Sequence, residues 1–193
     1  KVRLMHALIR FRIKQSGHWN EQELGKAINQ EDMAGTNLSF SLIVVRGLRE
    51  LGKEIPVQQA EAYINYWNQL GALLGLDSEL LPETAKEAYI LERNIRQRHF
   101  EQSEAGVKLF ASLRNYFVKA TVGSPIEGQT DAFMEKLLGE KVSKMLGLEI
   151  SRLDQAVLLP YTSFLKLKNT IGNQPDSYLT AFEQFKKQRA SLI

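Results

Sequence analysis

The chain opens on a helical rhythm. In residues 1–14 one apolar stripe runs through Val2, His6, Ile9 and Ile13, and a second through Leu4, Leu8 and Phe11. Spacings of three and four residues put each stripe on one side of a helix, and two apolar faces predict a helix buried on both sides. Gly17 stops the pattern, and residues 18–28 predict a loop with one helical turn. Asn29 offers an N-cap, followed by Gln30, Glu31 and Asp32, where acidic groups meet the positive end of the helix dipole. A helix over about 30–51 is expected from there. After Pro56, Ala60, Tyr63, Ile64, Trp67, Leu70 and Leu74 keep helical spacing over 57–75, and Gly75 closes the helix. Pro82, tolerated in a first helical turn, opens a charged helix through about Phe100. Ser103 with Glu104 starts the next, over about 103–120. Gly123, Ser124, Pro125 and Gly128 make the clearest loop. Beyond it, helices are predicted over about 130–146, 150–171 with a kink at Pro160, and 175–191.

No alternation of period two persists long enough for a strand, so the expected fold class is all-α, with about eight helices. A boundary near Gly123 would leave both flanks short of a comfortable core, and one domain over 1–193 is expected. Lys1 falls inside a periodic segment with no cap, turn residue or methionine. The chain therefore reads as the later portion of a longer protein, with helices upstream.

Composition narrows the classes of function. A chain with 44% hydrophobic and 24% charged residues has the material for a core and is not disordered. Its 25 Lys and Arg are interspersed among 22 acids, for a net charge of +3, without the basic stripe that a nucleic-acid partner requires. The absence of cysteine removes disulfides, thiolate ligands and a thiol nucleophile together. No apolar run reaches the ~20 residues of a membrane span. The chain is expected to be soluble as it stands, and cytoplasmic if no signal lies upstream; nothing in it sets the oligomeric state.

Three histidines are the main candidates for chemistry. His6 alone lies among apolar neighbours, and two readings stand: a core residue with satisfied nitrogens, or an axial ligand to haem iron. His18, beside Trp19, and His99, in the segment RNIRQRHF, belong to polar surroundings and read as surface residues. No His-Glu-x-x-His, paired Glu-x-x-His or cysteine set supports zinc or a di-iron bundle. The strings GLRELG at 47–52 and GALLG at 71–75 follow no strand and read as helix stops, not phosphate loops. Ala34, Gly35, Thr36, Ser39 and Ser41 keep one helix small, which fits either a tight helix crossing or the approach of a flat ligand.

Taken together, RLMHALIR at 3–10, Trp19, INQEDMAGTNLSFSLIVVRGLRELG at 28–52 and AEAYINYWNQLGALLGL at 60–76 resemble the rubber oxygenase (latex clearing protein) and MpaB-type oxygenase family over about the first 120 residues. The Arg-x-x-His helix, followed some twenty residues later by Ile-Asn-Gln-Glu-Asp-Met, carries most of the likeness. The resemblance implies an all-helical, distantly globin-like fold that holds haem b and uses dioxygen to attack carbon–carbon double bonds of isoprenoid or other apolar substrates, small or polymeric. It makes His6 the proximal iron ligand. Arg3, one turn earlier, is expected to pair with a haem propionate or an acid. Met33, Thr36, Asn37 and Phe40 are expected to line the macrocycle or substrate cavity, with Tyr63, Trp67 and Leu70 as apolar wall. The residues facing the bound oxygen are expected upstream of this chain, so the segment itself is not bound to hold haem. Two other readings remain: a non-catalytic helical binding module without haem, and a different enzyme class on the same scaffold.

Overall fold

The computed structural model describes residues 1–124 and 126–150, together with Glu183 and Lys186. In chain order its helices are α1 (Val2–Ser16), α2 (Glu21–Leu24), α3 (Gln30–Phe40), α4 (Leu42–Glu50), α5 (Val57–Leu74), a 3-10 turn (Ser78–Leu80), α6 (Ala85–His99), α7 (Glu104–Ala120), α8 (Thr130–Leu138) and α9 (Glu140–Met145). There is no strand among the described residues, and the all-α expectation holds. The helices expected over 150–171 and 175–191, with the Pro160 kink, fall outside the described residues.

Local chemistry sets the ends of these helices. The Asn29 side chain accepts from the Asp32 N–H at 2.9 Å while Asp32 returns a bond to the Asn29 N–H at 3.2 Å, so two orphan donors of α3 are satisfied at once. Thr84 and Glu87 repeat the device at the start of α6. Gly17 ends α1 and Gly75 ends α5 in the left-handed region, at φ 67° and 97°, where a side chain would be strained.

Three boundaries differ from the expectation. The helix over 30–51 is broken at Ser41, whose backbone leaves helical geometry at φ −107° and ψ −85° and whose hydroxyl donates to the Asn37 carbonyl at 2.9 Å; the fully buried hydroxyl competes with the backbone for that carbonyl. Pro82 does not open α6. It lies two residues before the Thr84 cap, and its carbonyl accepts from Asn68 Nδ2 at 2.6 Å. The helix over 130–146 is interrupted at Gly139, at φ 80° and ψ 153°, which separates α8 from α9.

The main core joins α3, α4, α5 and α6 through Met33, Ala34, Leu38, Leu42, Ile64 and Ile95. A smaller cluster of Phe110, Met134 and Leu148 unites α7, α8 and the segment after α9. Arg46 and Arg96 meet the buried Glu92 carboxylate at 3.0 and 3.4 Å, tying α4 to α6. The expectation of a buried α1 is corrected among the described residues. None of its residues is buried, and Leu4 (74%) and Phe11 (58%) stand exposed. Only the side bearing His6 and Ile13 is partly covered.

Candidate functional site

The covered side of α1 faces a cavity of about 650 Å³. His6, Ile9 and Ile13, one turn apart, form one wall, and the i, i+3, i+4, i+7 stripe of Met33, Thr36, Asn37 and Phe40 on α3 forms the opposite one. Ala27 and Ile28 close the side between them, and Trp67, Leu74 and Leu76 bring in the end of α5. Two stretches far apart in sequence thus converge on one space.

Several polar contacts hold the walls in place. Arg10, projecting from α1, donates through Nε to the Ala27 carbonyl at 3.2 Å and through Nη2 to the Ile28 carbonyl at 2.5 Å, with the Met33 sulfur 3.6 Å away. Those carbonyls precede the α3 cap, so one guanidinium fixes the angle at which α1 meets α3. Gln30 clamps the other side: its Nε2 donates to the Gly75 carbonyl and its Oε1 accepts from the Asp77 N–H, both at 3.0 Å. Trp19 Nε1 donates to the Gly25 carbonyl at 2.8 Å, folding the 18–28 loop onto itself at the cavity edge.

The imidazole of His6 is half-buried on the cavity wall and has no hydrogen-bond partner among the described residues. At the end of the α3 stripe Phe40 stacks on Trp67 of α5, with ring centroids 5.1 Å apart and planes 16° from parallel. Among the described residues no group of three His, Asp or Glu side chains converges as a metal-binding set. The lining holds one imidazole, that of His6, while the Asp32 carboxylate is engaged by the Asn29 N–H; one imidazole suits an ion whose remaining ligands come from a macrocycle.

Of the six residues singled out for the cofactor, His6, Met33, Thr36, Asn37 and Phe40 line this one cavity. Arg3 does not. Its guanidinium lies near Gly75, with Nη2 4.0 Å from where a Cβ would stand there, and it makes no ion pair among the described residues. Of the three apolar wall candidates only Trp67 reaches the cavity. Tyr63 instead donates its hydroxyl to the Phe40 carbonyl at 3.1 Å, satisfying the end of α3. Arg10, Gln30 and Trp19 were not foreseen as supports of the cavity. For Arg10 and Gln30 the partners are mainly backbone carbonyls, which leave no mark in a sequence pattern.

The other two histidines are exposed. His99 Nε2 and the Arg98 guanidinium both bind the Glu31 carboxylate, joining the end of α6 to the start of α3. The His99 hydrogen bond, opposed by partial burial and helped by the Arg98 charge, holds the Glu31 carboxyl below the ordinary glutamate value.

Comparison with known proteins agrees with this architecture. Residues 1–167 match the family model described as "ER-bound oxygenase mpaB/B'/Rubber oxygenase, catalytic domain". A rubber oxygenase of Streptomyces sp. (strain K30) is 28% identical over 152 residues, covering 77% of this chain and 37% of that protein. The chain thus spans well under half the length of that curated relative. The solved structure of latex clearing protein LCP in its closed state superimposes with a TM-score of 0.74 and 22% identity, covering 94% of this chain and 50% of the other, a likeness of fold.

Proposed function

Because the chain belongs to the ER-bound oxygenase mpaB/B'/rubber oxygenase catalytic-domain family, we propose that it is part of a haem b-dependent oxygenase that uses dioxygen to cleave carbon–carbon double bonds of an apolar, isoprenoid-like substrate, with His6 as the axial ligand to iron. The observation that carries this reading is the state of His6: half-buried, facing an apolar cavity, with both ring nitrogens unengaged among the described residues. His6 is not a core residue among the described ones, and neither ring nitrogen is tied to the fold there, so one is open to ligate a metal. The rest of the wall fits the same group, being mainly apolar, with Met33 and the stacked rings of Phe40 and Trp67 in its lining.

Bound haem would supply the activation of dioxygen. The chain's own residues would provide the setting. His6 would hold the iron through one imidazole nitrogen. Met33, Thr36, Asn37 and Phe40 bound the space beside it, and the apolar side chains of α1 and α5 keep water away from an alkene. Arg3 would pair with a propionate carboxylate from its place beside the end of α5. The rubber oxygenase relative supports a polyisoprene chain as the substrate to assay first.

The test is the absorption spectrum of the protein expressed with haem available, recorded beside its His6→Ala variant. An intense Soret band in the parent, lost or shifted in the variant, is the expected result. If neither protein takes up haem, even after reconstitution, the oxygenase reading fails. Labelled dioxygen then checks the reaction: both atoms should appear in carbonyl products of the cleaved alkene.

A further inference from the structure

Away from the His6 cavity, α6 and the corner between α8 and α9 enclose a second space of about 380 Å³, which shares none of its described lining residues with the first. Gly139 makes that corner. Its backbone, at φ 80° and ψ 153°, ends α8 and starts α9 in a new direction, which sets both beside the last turns of α6. The floor is apolar: Leu138, Val142 and Met145 are partly covered there, and Phe100 closes the end of α6. Leu138 also packs on the Phe110 and Met134 cluster, so this floor is anchored to the smaller core.

The rest of the lining is cationic. Arg93, Arg96 and Gln97 stand one turn apart on α6, and Lys141 comes from α9. Arg96 shares its charge with Glu92 at 3.4 Å, but Arg93 and Lys141 make no hydrogen bond or ion pair among the described residues. The one acid in the described lining, Glu140, is taken by Lys144, which lies outside it, at 2.6 Å. Lys108, Lys136, Arg98 and Arg114, by contrast, each meet a carboxylate. Two cations are therefore left without a counter-charge beside an apolar floor. A head group with two negative charges balances them, whereas a single carboxylate leaves one over. Phosphate oxygens also match the fork of an arginine, and an aliphatic chain gains by leaving water for the floor. At about 30 Å³ for each water-sized group, 380 Å³ holds roughly a dozen non-hydrogen atoms, a phosphate head and some eight carbons.

We propose that the space between α6 and the α8–α9 corner is a binding site for a phosphate monoester carrying an apolar chain of about eight carbons. Arg93 and Lys141 take the phosphate, with Arg96 beside them, and Leu138, Val142 and Met145 take the chain. Such a ligand would tie α6, which belongs to the main core, to the smaller core through α8 and α9. The site depends neither on haem nor on His6.

Octyl phosphate, octyl sulfate and methyl phosphate are titrated into the protein at pH 8, where the phosphate monoester carries two charges, and binding is read by calorimetry and by the rise in the thermal midpoint. Octyl phosphate is expected to bind one per chain. It should bind about fivefold tighter than the singly charged octyl sulfate, the scale of one exposed ion pair, and about tenfold tighter than methyl phosphate, which lacks the chain. The protein has two tryptophans, Trp19 and Trp67; both line the His6 cavity and neither lines this one, so their emission should stay constant as octyl phosphate saturates. Arg93 and Lys141 are exposed, and the double variant Arg93→Gln, Lys141→Gln should fold as the parent does and lose the preference for phosphate over sulfate. Equal affinities for octyl phosphate and octyl sulfate in the parent, or no saturable binding by either measurement, would overturn the proposal without recourse to a variant. So would tryptophan emission that tracks saturation, which would put the ligand in the His6 cavity, or a double variant that keeps the preference. Failure of the haem reading shows elsewhere, as a missing Soret band, and leaves these titrations unaltered.

Discussion

One guanidinium, that of Arg10, holds α1 at the distance where His6 can look across at α3. Removing it while keeping its aliphatic length, as in Arg10→Met, frees two backbone carbonyls and one helix. Amides of α1 should then exchange with solvent markedly faster while those of α5 keep their protection, as hydrogen exchange by mass spectrometry would reveal. Glu31 acts at the same scale. Its folded carboxyl titrates below the ordinary glutamate value, so the stability it contributes is present above that ordinary value and is lost as the pH falls from there through the lower folded value. Glu31→Gln should flatten this part of the acid limb in urea-unfolding midpoints measured against pH. An unchanged limb would mean that the ion pairs with Arg98 and His99 are too solvated to matter. His6 stood out in the sequence because a polar ring interrupted an apolar stripe. Arg10 did not, being one of several arginines in the segment, and its partners are carbonyls.

For the elements, capping governs where α3 begins and therefore which of its residues face the cavity. Asn29→Ala removes the side-chain half of the capping box and should cost about 1 kcal/mol, read as a shift in the denaturation midpoint at constant slope. The small residues of α3 serve both of the purposes left open for them. Ala34 is buried in the core and a Cβ on Gly35 would meet Ile95 at 3.4 Å, so that side is a helix crossing; Thr36 and Asn37, on the other side, line the cavity. Helix spacing was readable from the run of apolar residues, whereas the break at Ser41 accompanies a buried hydroxyl turned back to the Asn37 carbonyl; the exposed Ser112 makes the same bond to Lys108 inside an unbroken α7, so the serine alone does not announce the break.

At the scale of the whole molecule, four helices share a core whose centre is Ile64, fully buried. Ile64→Ala should destabilise the fold by about 3 kcal/mol through lost burial and the cavity left behind, with thermal or urea unfolding as the check. α1 contributes little to this core, and its exposed apolar residues are why the expectation of a helix buried on both sides did not hold among the described residues. Periodicity counts apolar positions on a helix face but contains no information on whether another element arrives to cover them. By itself the sequence determined the all-helical class, most caps and stops, the family and the prominence of His6, because each depends on neighbours within a few residues or on a motif in fixed order. Tertiary structure alone decided that His6 and the Met33 to Phe40 stripe share one cavity, that Arg3 stands outside it and that the Asn37 side chain has no hydrogen-bond partner there among the described residues. Those facts depend on contacts between segments that are distant along the chain, set by the packing of α1, α3 and α5.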